Sequence, residues 1–148
     1  MELYNILIVE DNPEISELFK LALESPEYAL STALNGTEAL EKLDVEKPDL
    51  VVLDILIPEP NGWKLYEMIR KDPNFSNTRV LITTALTIYP GVLAEKRLRP
   101  IDRFMNKPFD IENLRSLVKE LLAGISMKNV DNAHHHPREH SYIISQGD

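Results

Sequence analysis

The sequence predicts an α/β protein built on a mostly parallel sheet with helices on both faces. Three observations carry this prediction. Short β-branched apolar runs recur along the chain, amphipathic helical patterns separate them, and the notable polar residues stand at the ends of the runs. Apolar runs without alternation fit strands covered on both faces, and strands separated by helices require right-handed crossovers. At 148 residues the chain has the length of one domain of ordinary size plus a tail.

The first strand is Ile6-Leu7-Ile8-Val9. Asp11-Asn12-Pro13 follows as a helix start, with a capping side chain and a proline suited to the first turn. Ile15, Leu18, Phe19 and Ala22 then recur at helical spacing up to Ser25-Pro26. Tyr28 to Ala33 reads as the second strand, Asn35-Gly36 as a turn, and Thr37 as the cap of a short helix carrying Ala39, Leu40 and Leu43. Leu50 to Asp54 is the third strand. Pro58, Pro60 and Asn61-Gly62 form a loop before a helix marked by Leu65, Tyr66 and Ile69. Val80 to Thr84 is the fourth strand and residues 103–107 the fifth. Asp110 caps a last helix, whose Leu114, Leu117, Val118, Leu121 and Leu122 share one face. Between the last two strands, Pro90, Gly91 and Pro100 leave room for a short helix only, around Val92 to Leu98. From about Gly124 periodicity stops, so the reading divides the chain into a domain over residues 1–123 and a flexible tail over residues 124–148.

Composition excludes several function classes. Hydrophobic residues at 43% and charged residues at 27% are a globular balance. Sixteen Lys and Arg against 24 Asp and Glu give a formal charge of −8, which argues against direct binding of nucleic acid or anionic membranes. The absence of cysteine removes disulfides, thiolate metal sites and thiol nucleophiles. No apolar run approaches the roughly 18 residues of a membrane span, and the N-terminus lacks a signal pattern, so a soluble cytoplasmic protein is expected.

Asp54 is the anomaly in Leu50-Val51-Val52-Leu53-Asp54-Ile55-Leu56-Ile57, because an isolated carboxylate buried there would cost several kcal/mol. It must close its strand and have partners. Glu10 and Asp11 follow strand one, Thr84 closes strand four and Lys107 closes strand five. In an open parallel sheet, ligands bind beyond the carboxyl ends of the strands where strand order reverses. Three carboxylates at close quarters repel unless a hard cation with oxygen ligands lies between them, and Mg²⁺ is the usual ion where phosphates are handled. Thr84 and Lys107 add a donor and a positive charge, as a transferring phosphoryl group requires. The nucleophile is then the Asp54 carboxylate, giving an acyl phosphate.

Four segments carry a family resemblance: Ile6 to Pro13 around Glu10-Asp11, Val51 to Gly62 around Asp54, Leu81 to Ala85 around Thr84, and Phe104 to Phe109 around Lys107. In this order and spacing the chain, from Tyr4 to about Ala123, resembles the receiver domain of two-component response regulators. The resemblance implies a flavodoxin-like, doubly wound, five-stranded parallel sheet of order 2-1-3-4-5. It implies that Asp54 accepts a phosphoryl group from a phosphohistidine on a sensor histidine kinase or phosphotransfer protein. It further implies that Asp11, Asp54 and the backbone carbonyl of Leu56 hold Mg²⁺, with Glu10 acting directly or through water. Lys107 and Thr84 fall on its phosphate-contacting positions, Phe104 on its switch aromatic, and Lys107-Pro108 on a cis bond. Thr84 would move toward the phosphoryl group and Phe104 would turn inward, repacking the surface that meets a downstream protein target. The resemblance admits a homodimer through the surface of residues 86–123. Pro90, Gly91 and Pro100 depart from the family's pattern there, and its dimer geometry is not carried over.

Other readings of the same residues are blander. Glu10-Asp11 alone is favourable charge at a helix start, Thr83-Thr84 strand filler, Lys107 a solvated charge, Phe104 core, and Trp63 a partly exposed packing residue. His134-His135-His136 with His140 invites a metal reading, but such a polar run is more often structureless. A phosphorylation-independent receiver-like interaction module is the alternative function. An aspartyl-phosphate hydrolase of the haloacid-dehalogenase type would need a second acid two residues after the nucleophile, where Leu56 stands. Leu56 and Leu86 occupy positions that flank the attacking water in the family. Both are apolar and cannot orient water, which predicts slow self-hydrolysis and a long-lived phosphorylated state.

Overall fold

The computed structural model describes residues 3–84, 98–106 and 109–134, the last of these from 125 onward through the backbone alone. Five strands form one sheet: β1 (Tyr4–Val9), β2 (Tyr28–Ala33), β3 (Leu50–Asp54), β4 (Arg79–Thr84) and β5 (Arg103–Asn106). All neighbours pair in parallel, in the order β2-β1-β3-β4-β5. Four helices accompany them: α1 (Pro13–Leu23), α2 (Gly36–Glu46), α3 (Gly62–Lys71) and α4 (Ile111–His134), with a 3-10 turn at Pro73–Phe75. The expected sheet order therefore holds. It reverses between β1 and β3, which opens a crevice at their carboxyl ends.

Side chains alternate across the sheet and separate the core into two layers. Leu7, Val9, Val51, Leu53, Val80 and Ile82 pack with Leu43, Leu65 and Ile69 under α2 and α3. Ile6, Ile8, Leu50, Val52, Leu81 and Met105 pack with Phe19, Leu114 and Val118 under α1 and α4. Phe109 stacks on Phe19 with ring centroids 4.6 Å apart, tying the start of α4 to α1. Trp63 is half-buried and meets Tyr66 edge-on at 6.1 Å, the packing role expected of it.

Several boundaries differ from the sequence reading. The cap of α2 is Asn35, whose Oδ1 accepts from the Glu38 N–H at 2.7 Å, and Thr37 lies inside the first turn. A residue two positions nearer the turn reaches the open N–H groups better, and asparagine supplies the acceptor. Strand β5 is described over Arg103–Asn106, and Lys107, the last residue expected in it, lies outside the described residues. Helix α4 continues past Gly124 to His134, where a structureless tail was expected, and no proline interrupts the sequence before Pro137. The cis peptide among the described residues is Glu59-Pro60. The Lys107-Pro108 bond, the short helix placed around Val92 to Leu98, Leu86 and the histidines from His135 onward fall on segments that lie wholly or mainly outside the described residues.

At the amino end of β4 the fold buries a polar cluster that the sequence reading did not anticipate. The Asp102 carboxylate accepts from the Tyr66 hydroxyl at 2.6 Å and from the Val80 N–H at 2.8 Å, and lies 3.6 Å from the Arg70 guanidinium. The Tyr66 hydroxyl accepts in turn from the Arg99 N–H at 3.0 Å, while Arg70 donates to the carbonyls of Phe75 and Thr78. Helix α3, the start of β4 and the approach to β5 are thus joined through one carboxylate. Burial pushes the Asp102 carboxyl above its ordinary value and the Arg70 guanidinium below its own. Burial and the neighbouring carboxylate raise the Tyr66 phenol. Removing one partner would leave the rest buried and under-satisfied, so Asp102→Ala is expected to cost about 3–5 kcal/mol and Tyr66→Phe about 1–3 kcal/mol in urea unfolding.

The raised Asp102 value also fixes a sign. The folded protein holds that proton more tightly than the unfolded chain, so its contribution to stability is fullest below pH 3.8 and is lost as pH rises through the folded value. Asp102→Asn cannot titrate and is expected to remove that component. The difference in unfolding free energy between variant and parent should move in the variant's favour as pH is raised across this window.

Candidate functional site

The site begins where β1 runs out. Glu10 follows Val9, and its N–H donates to the Ala33 carbonyl at 3.0 Å, so the chain stays tied to the sheet for one more residue. Asn12, not Asp11, caps α1: its Oδ1 accepts from the Glu14 and Ile15 N–H groups at 2.9 and 3.2 Å. That assignment leaves the Asp11 side chain exposed at the rim, while the Asn12 N–H donates to Glu10 Oε2 at 3.3 Å. Glu10 is only 2% exposed and Asp54, at the end of β3, only 4%.

Carboxylate oxygens of Glu10, Asp11 and Asp54 all lie within 4.8 Å of one another. At that separation two charges repel by roughly 3 kcal/mol at an effective dielectric constant of about 20. Such a trio is the donor set a hard divalent cation takes, with oxygen ligands drawn from two strand ends. The three carboxylates expected to hold a metal therefore lie together. Asp54 is also oriented by its own loop, since Oδ1 accepts from the Leu56 N–H at 2.9 Å. The Leu56 side chain points outward and is 46% exposed, the apolar neighbour foreseen beside the acceptor.

The loop after β3 is held against the sheet by backbone. The Ile55 N–H donates to the Thr83 carbonyl at 3.2 Å, and the Gly62 N–H donates to the Ile55 carbonyl at 3.3 Å. Helix α3 starts here under an Asn61 cap, whose Oδ1 accepts from the Lys64 N–H at 3.0 Å. A Cβ on Gly62 would sit 2.6 Å from the Asp54 carbonyl oxygen, so only glycine lets the helix start this close to Asp54.

Thr84 closes β4 and is fully buried. Phe104 pairs in register with Ile82, two residues earlier, and is half-buried against the layer under α2 and α3. By strand alternation Thr84, Ile82 and Phe104 share that face, whereas Asp54 is in register with Thr83 and belongs to the other. The two expected switch residues thus stand on one face of the sheet, Thr84 on β4 next to β3 and Phe104 on β5. Lys107 lies outside the described residues. Sequence reasoning missed Thr83, whose hydroxyl is buried without a hydrogen-bond partner among the described residues. It also missed Tyr66, Arg70 and Asp102 at the opposite end of the sheet.

A doubly wound five-stranded parallel sheet of this order is a flavodoxin-like α/β domain, here with a carboxylate trio that could hold a metal ion at its reversal point. Residues 6–119 match the response regulator receiver domain, and the chain belongs to that family. It is 35% identical over 123 residues to the hybrid signal transduction histidine kinase D of Dictyostelium discoideum, covering 79% of this chain and 7% of the relative. It is 30% identical over 145 residues to the DNA-binding dual master transcriptional regulator RpaA of a Synechocystis species, covering 96% of this chain and 56% of the relative. Among solved structures, the signal receiver domain of a signal transduction histidine kinase from Syntrophus aciditrophicus superposes with a TM-score of 0.73 at 34% identity, covering 82% and 92% of the two chains. The chain spans about 60% or less of the length of the curated relatives named first. Among the described residues no helix is long and apolar enough to cross a membrane.

Gly62→Ala tests the local geometry. The added methyl has backbone on two sides and no flexible neighbour to displace, so a loss of about 1–3 kcal/mol is expected in thermal or urea unfolding. Ala at an exposed helix position would raise stability instead.

Proposed function

We propose that this chain is a phosphorylation switch of a two-component pathway, in which Asp54 takes a phosphoryl group from a phosphohistidine on a sensor kinase or phosphotransfer protein. The P–N bond to histidine breaks as a P–O bond to an Asp54 carboxylate oxygen forms. The observation that carries this reading is the buried Asp54 carboxylate at the end of β3, with Glu10 and Asp11 within 4.8 Å. Glu10, Asp11, Asp54 and the Leu56 carbonyl would hold Mg²⁺. When bound, that ion supplies charge neutralisation for the carboxylates and the incoming phosphoryl oxygens.

The remaining chemistry belongs to the chain. The Leu56 N–H orients Asp54 so that the carboxylate meets the donor in a fixed pose. Lys107 and Thr84 would contact the phosphoryl oxygens, Lys107 as a charge and Thr84 as a hydroxyl donor. Thr84 and Phe104 share a sheet face, which supports coupling of phosphorylation to the packing of β4 and β5. Residues 1–123 form the receiving unit on this reading. Its output is contact with a downstream protein rather than with nucleic acid, in keeping with a net charge of −8. We place this exchange in the cytoplasm.

Treatment with acetyl phosphate and Mg²⁺ is expected to add one phosphoryl group, read by intact mass, to the parent and none to Asp54→Asn. Because Leu56 offers no group to orient an attacking water, the adduct should decay over many minutes to hours without a phosphatase. An unmodified parent would remove the acceptor assignment. A lifetime of seconds would remove the role given to Leu56.

A further inference from the structure

We propose that Thr83 is a positioning residue of the acceptor site: its hydroxyl, which has no hydrogen-bond partner among the described residues, donates to an oxygen of Asp54 once that side chain is phosphorylated. This rests on the reading of Asp54 as the acceptor. Thr83 and Asp54 are register partners on β4 and β3, so their side chains leave the same face of the sheet from strands about 4.8 Å apart. Thr83 is 1% exposed, and its Oγ1 has no partner among the described residues.

Among the described residues of this face the neighbours of the hydroxyl are mostly apolar. On the same face Leu81 precedes it along β4, and Met105 faces it from β5, both apolar. Asp54 is its polar neighbour in the sheet. The Thr83 carbonyl already accepts from the Ile55 N–H at 3.2 Å, which fixes this end of β4 level with the acceptor. By contrast Thr78, the buried threonine just before β4, donates to the Pro48 carbonyl at 3.2 Å. A buried hydroxyl without a bond weakens a fold by a factor of roughly ten, a cost that valine, with the same shape, would not carry.

Phosphorylation changes that balance. It brings new acceptor oxygens to the face where Thr83 stands. A hydroxyl unsatisfied in one state and bonded in the other shifts the equilibrium toward the second. Thr83 therefore favours the phosphorylated form, and a water between the two groups would transmit the same preference.

The test compares full-length parent, Thr83→Val, Thr83→Ser and Asp54→Asn. Thermal unfolding is followed at rest and during titration with beryllofluoride in the presence of Mg²⁺. Resting Thr83→Val should be at least as stable as the parent, yet bind beryllofluoride about fivefold or more weakly, while Thr83→Ser keeps most of the parent's affinity. Equal binding by Thr83→Val and parent would overturn the proposal. So would a resting Thr83→Val clearly less stable than the parent, since the hydroxyl would then be bonded already. A parent that binds no better than Asp54→Asn would instead overturn the acceptor reading, and this proposal with it.

Discussion

Mutual repulsion among Glu10, Asp11 and Asp54 is the constraint on which the rest of this structure turns. A parallel sheet whose order reverses between β1 and β3 brings two strand ends together, and this chain puts carboxylates on both. Folding must hold them there at a cost that hydrophobic packing elsewhere offsets. The layers under α2 and α3 and under α1 and α4 supply that packing, and capping by Asn12 and Asn61 starts helices immediately beyond the acids. Each device keeps the site narrow: Asn12 leaves Asp11 out of the cap, and Gly62 lets α3 begin against the Asp54 carbonyl.

Carboxylates stand at both ends of the sheet. At the amino end of β4, Asp102 is met by a phenol, a backbone N–H and a guanidinium, so its charge is answered from within the protein. At the carboxyl ends, the carboxylates of Glu10, Asp11 and Asp54 come within 4.8 Å of one another. The first arrangement fixes α3, β4 and the approach to β5 relative to each other. The second concentrates negative potential where a divalent cation can answer it. Strand β4 spans both, from Val80 beside Asp102 to Thr83 and Thr84 beside the acceptor strand. A rearrangement at its carboxyl end thus works against an anchored amino end.

Much of this was legible in the sequence because the signals are local. Unbroken apolar runs marked the strands, and an acid closing such a run marked Asp54. The caps were less legible: Asn35 and Thr37 are both plausible donors of a capping oxygen, and only backbone geometry chooses Asn35. The Tyr66–Asp102–Arg70 cluster was missed because Asp102 lies 36 residues from Tyr66 in sequence and each member is unremarkable alone. Thr83 was read as filler, since residue type alone cannot reveal an unpartnered hydroxyl. The continuation of α4 beyond Gly124 was hidden by the loss of apolar periodicity, which reports burial rather than helicity.

The central claim is that the three carboxylates form one site for a divalent cation. Thermal unfolding of the parent and of Asp11→Asn across a Mg²⁺ titration tests it most directly, because Asp11 is exposed and its substitution leaves the core untouched. The parent should gain stability with Mg²⁺, by about 2.7 kcal/mol at a hundredfold excess over Kd, and Asp11→Asn should gain far less. Equal responses from the two proteins would contradict the account.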